Sequence, residues 1–170
     1  VHLSDGIQFI VVVIGLFYWF VRRAFEIGAR HFETARGYGT SELQLGRVLP
    51  TLPRDQILVQ TKIGPKPADE FVATARRSLE LLRLDYVDLL AVHGVNNEDL
   101  LRETLRPGGA LEGARRLQRD GRCRFIGFST HGPTELIVRA IETGEFDYVN
   151  LHWYFVQPHT WPAVEAAARH

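Results

Sequence analysis

The chain alternates between short, β-rich apolar segments and amphipathic helical segments, and this alternation limits its possible folds more than any other feature. The strand-like segments are residues 31–34, 57–63, 86–93, 122–130 and 146–153. The helix-like segments are residues 21–29, 41–50, 71–84, 111–120, 133–144 and 161–170. Strand–helix units that repeat about every 25–35 residues are typical of parallel strands joined by right-handed helical crossovers.

The strands are apolar over most of their length, as expected for parallel strands that are buried on both faces. A closed barrel and an open, doubly wound sheet would both satisfy this pattern. No Gly-x-Gly-x-x-Gly sequence follows an early strand, which argues against the dinucleotide-binding type of open sheet. We therefore predict an α/β protein of the (β/α)8 TIM-barrel type.

The overall charge and the cysteine content exclude several classes of function. The 170 residues carry 20 basic and 20 acidic side chains, so neither nucleic acid nor an anionic membrane surface is an expected main partner. Cys123 is the only cysteine, which rules out an internal disulfide or a cysteine-ligated metal cluster within these residues. A single cysteine suits a reducing compartment, and we expect a cytoplasmic protein.

The apolar run over residues 9–21 is harder to interpret. Its 13 residues fall short of the roughly 20 that a membrane-spanning helix needs. A signal peptide is not expected, because residues 1–6 contain no Lys or Arg and no small-residue cleavage site follows the run. A buried strand or helix is the preferred interpretation, with a membrane anchor and a sequence artefact as alternatives.

Unusual polar residues stand at the C-terminal ends of the predicted strands. They are Glu33, Lys62, His93, Ser129, Thr130 and Asn150, with Tyr38 in the first loop beyond them. Each alone has an ordinary explanation. A lysine can bury its aliphatic chain while its ammonium reaches water, and a tyrosine can pack its ring while its hydroxyl stays solvent-exposed. Parallel strands bring all these ends to one rim, and burying unpaired charges there would cost several kcal/mol. We therefore predict that these residues form one functional site.

Proton delivery to a carbonyl is the chemistry that these groups suit. A phenol is a poor acid at neutral pH, but a nearby ammonium such as Lys62 favours the phenolate of Tyr38, and a carboxylate fixes the lysine. A neutral His93 could orient the substrate oxygen. The sequence offers neither a nucleophile with its base nor a group of residues with metal-ligand spacing. A bound cofactor must therefore supply the reductant.

The sequence HFETARGYGTSELQLG (residues 31–46) resembles the F-D-T-A-x-x-Y-G-x-S-E-x-x-L/I-G stretch of the aldo-keto reductases. The pair TK at 61–62, the histidine after LLAV and the sequence IGFST extend the match in the same order. The resemblance covers about residues 21–170, which we take as the barrel domain, with residues 1–20 as a separate apolar segment. It implies metal-free, NADP(H)-dependent reduction of a small aldehyde or ketone.

The resemblance also implies a role for each site residue. Tyr38 would be the general acid, Lys62 the group that tunes it, and His93 the substrate-orienting residue. Glu33 stands where the family usually has Asp. Cofactor binding falls to three further residues, Ser129, Thr130 and Asn150. The first two align with a Ser-Asn pair that holds the nicotinamide amide, and the third lies near a Gln with the same role.

The match further implies that this chain supplies only about five to six of the eight strand–helix units. The loops that would grip the adenosine phosphate would then follow residue 170, and an open sheet edge would be available for pairing or aggregation. HFETARGYG with IGFSTHG is similar to a bacterial branch often fused to a ferredoxin-like part. The alternatives are a cofactor-sensing or interaction subunit without catalysis, an inactive fragment and a membrane-anchored accessory.

Overall fold

A computed structural model describes residues 5–154, 156 and 158–170, with side chains from Leu16 onward. The five strands are β1 His31–Glu33, β2 Leu58–Ile63, β3 Val87–His93, β4 Cys123–Ser129 and β5 Tyr148–Asn150. The seven α-helices of the described residues are α1 Asp5–Glu26, α2 Ser41–Leu45, α3 Ala68–Leu82, α4 Glu98–Leu105, α5 Ala110–Arg119, α6 Thr134–Glu142 and α7 Trp161–Arg169. Short 3-10 turns lie at Leu49–Thr51, Arg54–Gln56 and Pro158–Thr160.

The strands form one parallel sheet in the order β1-β2-β3-β4-β5, so each strand pairs with its neighbour in the sequence. The sheet curls into a half-barrel with helices around its outside, which confirms the predicted incomplete (β/α)8 barrel. The register aligns the strand ends that carry the predicted site. Lys62 lies opposite Ala91, and His93 lies opposite Ser129, which in turn pairs with Asn150.

The core lies between the sheet and the surrounding helices. Helix α3 buries the face that its apolar periodicity predicts, including Phe71, Ala75 and Leu82. Helices α3 and α5 approach closely at Gly113, where an added Cβ would lie 2.8 Å from the Ala68 carbonyl oxygen. A larger residue at this position would therefore push the two helices apart.

The apolar N-terminal run belongs to helix α1, and residues 1–4 lie outside the described part of the chain. The preferred interpretation was a buried strand or helix; the run is helical, but Leu16, Trp19 and Phe20 are 50%, 57% and 60% exposed. Phe17, Val21 and Phe25 are partly buried against the core. The helix gives way to a turn at Gly28, whose φ of +108° is one that glycine adopts without strain. Within the described part of the chain, no helix is long and apolar enough to cross a bilayer.

The helices differ from the predicted segments in three places. Helix α2 spans five residues, Ser41–Leu45, instead of residues 41–50. Helix α3 begins at Ala68, three residues before the predicted segment. The polar stretch after β3 contains helix α4, whose first turn is capped by the Asn97 side chain accepting from the Leu100 N–H at 2.9 Å. This helix was not predicted because its sequence is mostly polar and shows little apolar periodicity.

A buried carboxylate ties three strands together near their N-terminal ends. Asp88 in β3 is 1% exposed and accepts hydrogen bonds from the Val59 N–H at 2.9 Å, from Arg54 at 2.7 Å and from Arg124 at 2.9 Å. Burial alone would raise the pKa of Asp88, but these three donors lower it below its ordinary value. Asp88 is therefore ionised in the folded protein at neutral pH.

Candidate active site

All seven predicted site residues line one cleft of about 330 Å³ at the C-terminal ends of the strands. Glu33, Lys62, His93, Ser129 and Asn150 end or nearly end β1 to β5, Thr130 follows β4, and Tyr38 comes from the loop after β1. The parallel sheet places these ends on one rim. This explains why Glu33 and Asn150, which are 117 positions apart in the sequence, are in contact.

The Tyr38 phenol, the Lys62 ammonium and the Glu33 carboxylate are in direct contact. Lys62 is 3% exposed and lies 2.7 Å from Glu33 Oε1, and it donates to the Tyr38 hydroxyl at 3.4 Å. Its ammonium also lies 4.9 Å from the centre of the Tyr38 ring. The longer glutamate, in place of the aspartate usual in this motif, thus still reaches the lysine, and the buried ammonium is paired with a charge.

The loop that carries Tyr38 is fixed to strand β2 by a residue that the sequence reasoning missed. Glu42, 1% exposed, accepts from the Thr61 hydroxyl at 2.7 Å and from Arg36 at 2.6 Å. The Arg36 N–H in turn donates to the Lys62 carbonyl at 2.9 Å. Glu42 therefore holds the loop of Tyr38 against the strand of Lys62. Glu42 follows Ser41 in the sequence HFETARGYGTSELQLG, and this position was a usable signal. It was overlooked because residues 41–50 were predicted only as a helix with an apolar side.

His93 faces Tyr38 across the cleft. The two rings are nearly perpendicular, at 86°, with their centroids 5.8 Å apart. Burial, helped by the positive charge of Lys62 and by His131, lowers the pKa of His93 below its ordinary value, against an opposing effect of Glu33. The ring is therefore neutral at pH 7. Its buried Nδ1 has no hydrogen-bond partner among the described residues, so a bound molecule could provide one.

The lowered pKa of His93 predicts how stability depends on pH. Below about pH 6.5 an unfolded histidine takes up a proton more readily than the folded ring does, so acidification favours unfolding. The stabilisation is complete above about pH 6.5 and is lost as the pH falls below it. Replacing His93 with Gln should reduce the fall in Tm between pH 7 and pH 5, measured by circular dichroism. An identical fall in both proteins would contradict the assignment.

Ser129 and Thr130 differ in what they can offer a ligand. The Thr130 hydroxyl donates to the Val95 carbonyl at 2.7 Å and accepts from the Gly132 N–H at 2.9 Å. The Ser129 hydroxyl accepts from the Gly94 N–H at 3.1 Å, and its proton has no partner among the described residues. Ser129 is therefore the freer donor, and the cofactor-binding role of Thr130 stays a prediction.

Asn150 points across the half-barrel. Its side chain donates to Glu33 Oε2 at 3.3 Å and accepts from Gln60 at 2.6 Å. Gln60, fully buried on β2, is a second residue that the sequence reasoning missed. It lies two positions before Lys62 and so shares its side of the strand, which was a usable signal.

Three histidines lie together at one side of the cleft, and two of them, His131 and His152, line it. His131 stacks on His152 with ring centroids 5.5 Å apart, and His152 Nε2 lies 3.2 Å from His159 Nε2. In the part of the chain that the structure describes, no group of three or more His, Cys, Asp or Glu side chains is arranged to hold a metal ion.

The fold and the cleft define an α/β-barrel protein with a tyrosine, a lysine, an acid and a histidine at its strand ends, and comparison with known proteins identifies its family. The sequence model described as "Aldo/keto reductase family" matches residues 17–155. The chain belongs to the aldo/keto reductase family.

Individual relatives agree with this assignment. An aldo-keto reductase of Mycolicibacterium smegmatis is 36% identical over 121 residues, covering 68% of this chain and 40% of the relative. L-galactose dehydrogenase of Arabidopsis thaliana is 38% identical over 122 residues, covering 64% of this chain and 36% of the relative. The chain thus spans about two fifths of the length of these curated relatives.

Solved structures show the same fold. An aldo-keto reductase from Pseudomonas aeruginosa superposes with a TM-score of 0.77 at 26% identity, covering 90% of this chain and 59% of that one. A Bombyx mori aldo-keto reductase, solved in complex with NADP, gives a TM-score of 0.58 at 27% identity, covering 76% of this chain and 44% of that one.

Proposed function

We propose that the protein is an NADP(H)-dependent oxidoreductase that reduces a small aldehyde or ketone, with Tyr38 as the proton donor. The observation that carries the proposal is the contact of Lys62 with both the Tyr38 hydroxyl and the Glu33 carboxylate, beside a neutral His93. Family membership supports the reaction class, and the NADP complex of the Bombyx mori relative supports the cofactor.

The residues of the cleft fit the reacting end of such a cofactor. The volume of about 330 Å³ is at the lower end of the range of small-molecule sites. The Ser129 hydroxyl has a proton to donate, and it would hold the carbonyl oxygen of the nicotinamide amide. The bound cofactor would supply the hydride.

The side chains of the cleft would supply the rest of the chemistry. Tyr38 would donate its proton to the substrate oxygen as negative charge develops there. The ammonium of Lys62 would stabilise the resulting phenolate, and Glu33 would keep that ammonium in place. The neutral ring of His93 would donate a hydrogen bond to the carbonyl oxygen of the substrate and so hold that oxygen beside the Tyr38 hydroxyl.

The direct test is to follow NADPH absorbance when the purified protein is mixed with an aromatic aldehyde. We expect NADPH to be consumed only when both the protein and the aldehyde are present. Mass spectrometry should then detect the corresponding alcohol as the product. Tight NADPH binding without consumption, measured by fluorescence titration, would instead indicate a cofactor-sensing subunit. Absence of binding as well would overturn the proposal for this chain.

A further inference from the structure

A continuous chain of hydrogen bonds crosses the interior of the half-barrel and ends on the catalytic pair. His31 Nε2 lies 3.2 Å from Gln60 Oε1, Gln60 Nε2 lies 2.6 Å from Asn150 Oδ1, and Asn150 Nδ2 lies 3.3 Å from Glu33 Oε2. The other oxygen of Glu33 contacts Lys62 at 2.7 Å. The chain thus links strands β1, β2 and β5 to the ammonium beneath Tyr38.

The charge of Glu33 fixes the direction of every bond in this chain. A carboxylate only accepts hydrogen bonds, so Asn150 must turn its NH2 group toward Glu33 and its oxygen toward Gln60. Gln60 must then donate its own NH2 group to Asn150 and turn its oxygen toward His31, which donates through Nε2. Each amide has one possible orientation, and reversing either one would set two acceptors or two donors against each other.

We propose that Asn150 and Gln60 are positioning residues that hold the Glu33 carboxylate against Lys62. This inference rests on the proposed function and gives Asn150 a role that the family resemblance does not assign to it. The NH2 group of Asn150 binds the carboxylate and its oxygen binds a fully buried glutamine, which leaves one N–H and one lone pair of the amide for a ligand.

The glutamate at position 33 explains why such a chain is useful here. Its side chain has one more rotatable bond than the usual aspartate, and it is 41% exposed. Without a second partner, this carboxylate could swing into solvent away from the ammonium. The Asn150 NH2 group binds the oxygen that Lys62 leaves free, so the carboxylate is held at both oxygens.

Kinetic measurements separate this role from cofactor binding. Asn150→Leu and Gln60→Met should each lower kcat about 10–100-fold. Gln60 does not line the cleft, so Gln60→Met should also leave the Kd for NADPH within about twofold of the wild type. The double variant should be no slower than the slower single variant, because the two residues act through one chain. Gln118→Met is the matched control and should keep the wild-type kcat, because it removes an α5 side-chain amide that donates to the Arg124 carbonyl of β4, away from the cleft.

Two kinetic outcomes would overturn the proposal. If Asn150→Leu weakens NADPH binding by about tenfold or more at constant kcat, Asn150 is a cofactor contact. If Gln60→Met behaves like Gln118→Met, no chain through Gln60 holds the carboxylate. Retained NADPH binding in a slow variant would show that the cleft is still folded.

A measurement without turnover keeps this inference apart from the proposed function. In ¹⁵N-labelled protein without NADPH, the side-chain NH2 signal that Asn150→Leu removes is assigned to Asn150. That signal should move in Glu33→Gln, because the hydrogen bond loses its charged acceptor. An unmoved signal would overturn the chain even in an active enzyme, and a moved signal would support it even if no aldehyde is reduced.

Discussion

Replacing Tyr38 with Phe is expected to lower the rate of carbonyl reduction by about 10²–10⁴-fold, the usual contribution of a positioned general acid. The change removes only the hydroxyl that Lys62 contacts at 3.4 Å, and the ring keeps its place against His93 and the lysine ammonium. NADPH binding should therefore persist while kcat falls. Steady-state kinetics with an aromatic aldehyde, together with fluorescence titration of NADPH, would measure both.

Tyr86→Phe is the matched control for this experiment. Tyr86 lies just before β3, at the opposite end of the sheet from the cleft, where Arg54 stacks on its ring at 4.0 Å. Removing its hydroxyl should leave kcat and NADPH binding unchanged. A Tyr38→Phe protein that reduces the aldehyde at the wild-type rate would leave the proposed mechanism without its acid.

Most of the fold could be predicted because the sequence repeats a local pattern. Strands β2 and β3 are apolar runs, and the buried face of α3 follows helical periodicity. Helix α4 was missed because it is short and mostly polar, so its apolar periodicity is weak. Leu101 and Thr104 are its buried residues, and the Asn97 side chain caps its first turn.

The residues of the candidate site could be predicted, whereas the residues that hold them in place could not. Glu33, Lys62 and His93 stand at strand ends, and parallel topology alone brings such ends together. Glu42 and Gln60 act through contacts that depend on the curl of the sheet and on the path of one loop. Strand alternation places Gln60 on the side of Lys62, but sequence periodicity does not show which residues Gln60 or Glu42 contacts.

Replacing Asp88 with Asn is expected to have the largest effect on stability, a loss of about 3–5 kcal/mol in the free energy of unfolding. The amide keeps the shape of the carboxylate but sets an NH2 group against an arginine and leaves the Arg54 charge without its buried partner. Domains of this kind are stable by only about 5–15 kcal/mol, so the loss would be a large share. Urea denaturation followed by circular dichroism would measure it.

Asp99→Asn is the control, because Asp99 also pairs with an arginine, Arg102 at 2.6 Å, but both side chains are exposed. An exposed pair contributes about 0–1 kcal/mol, so this variant should unfold almost like the wild type. The pKa of Asp88 is lowered in the folded protein, so its stabilisation is present above about pH 3.9 and is lost as the pH falls below that value. The difference between the wild type and Asp88→Asn should therefore shrink in acid, and a difference that is small at neutral pH would show that the buried carboxylate does not hold the three strands together.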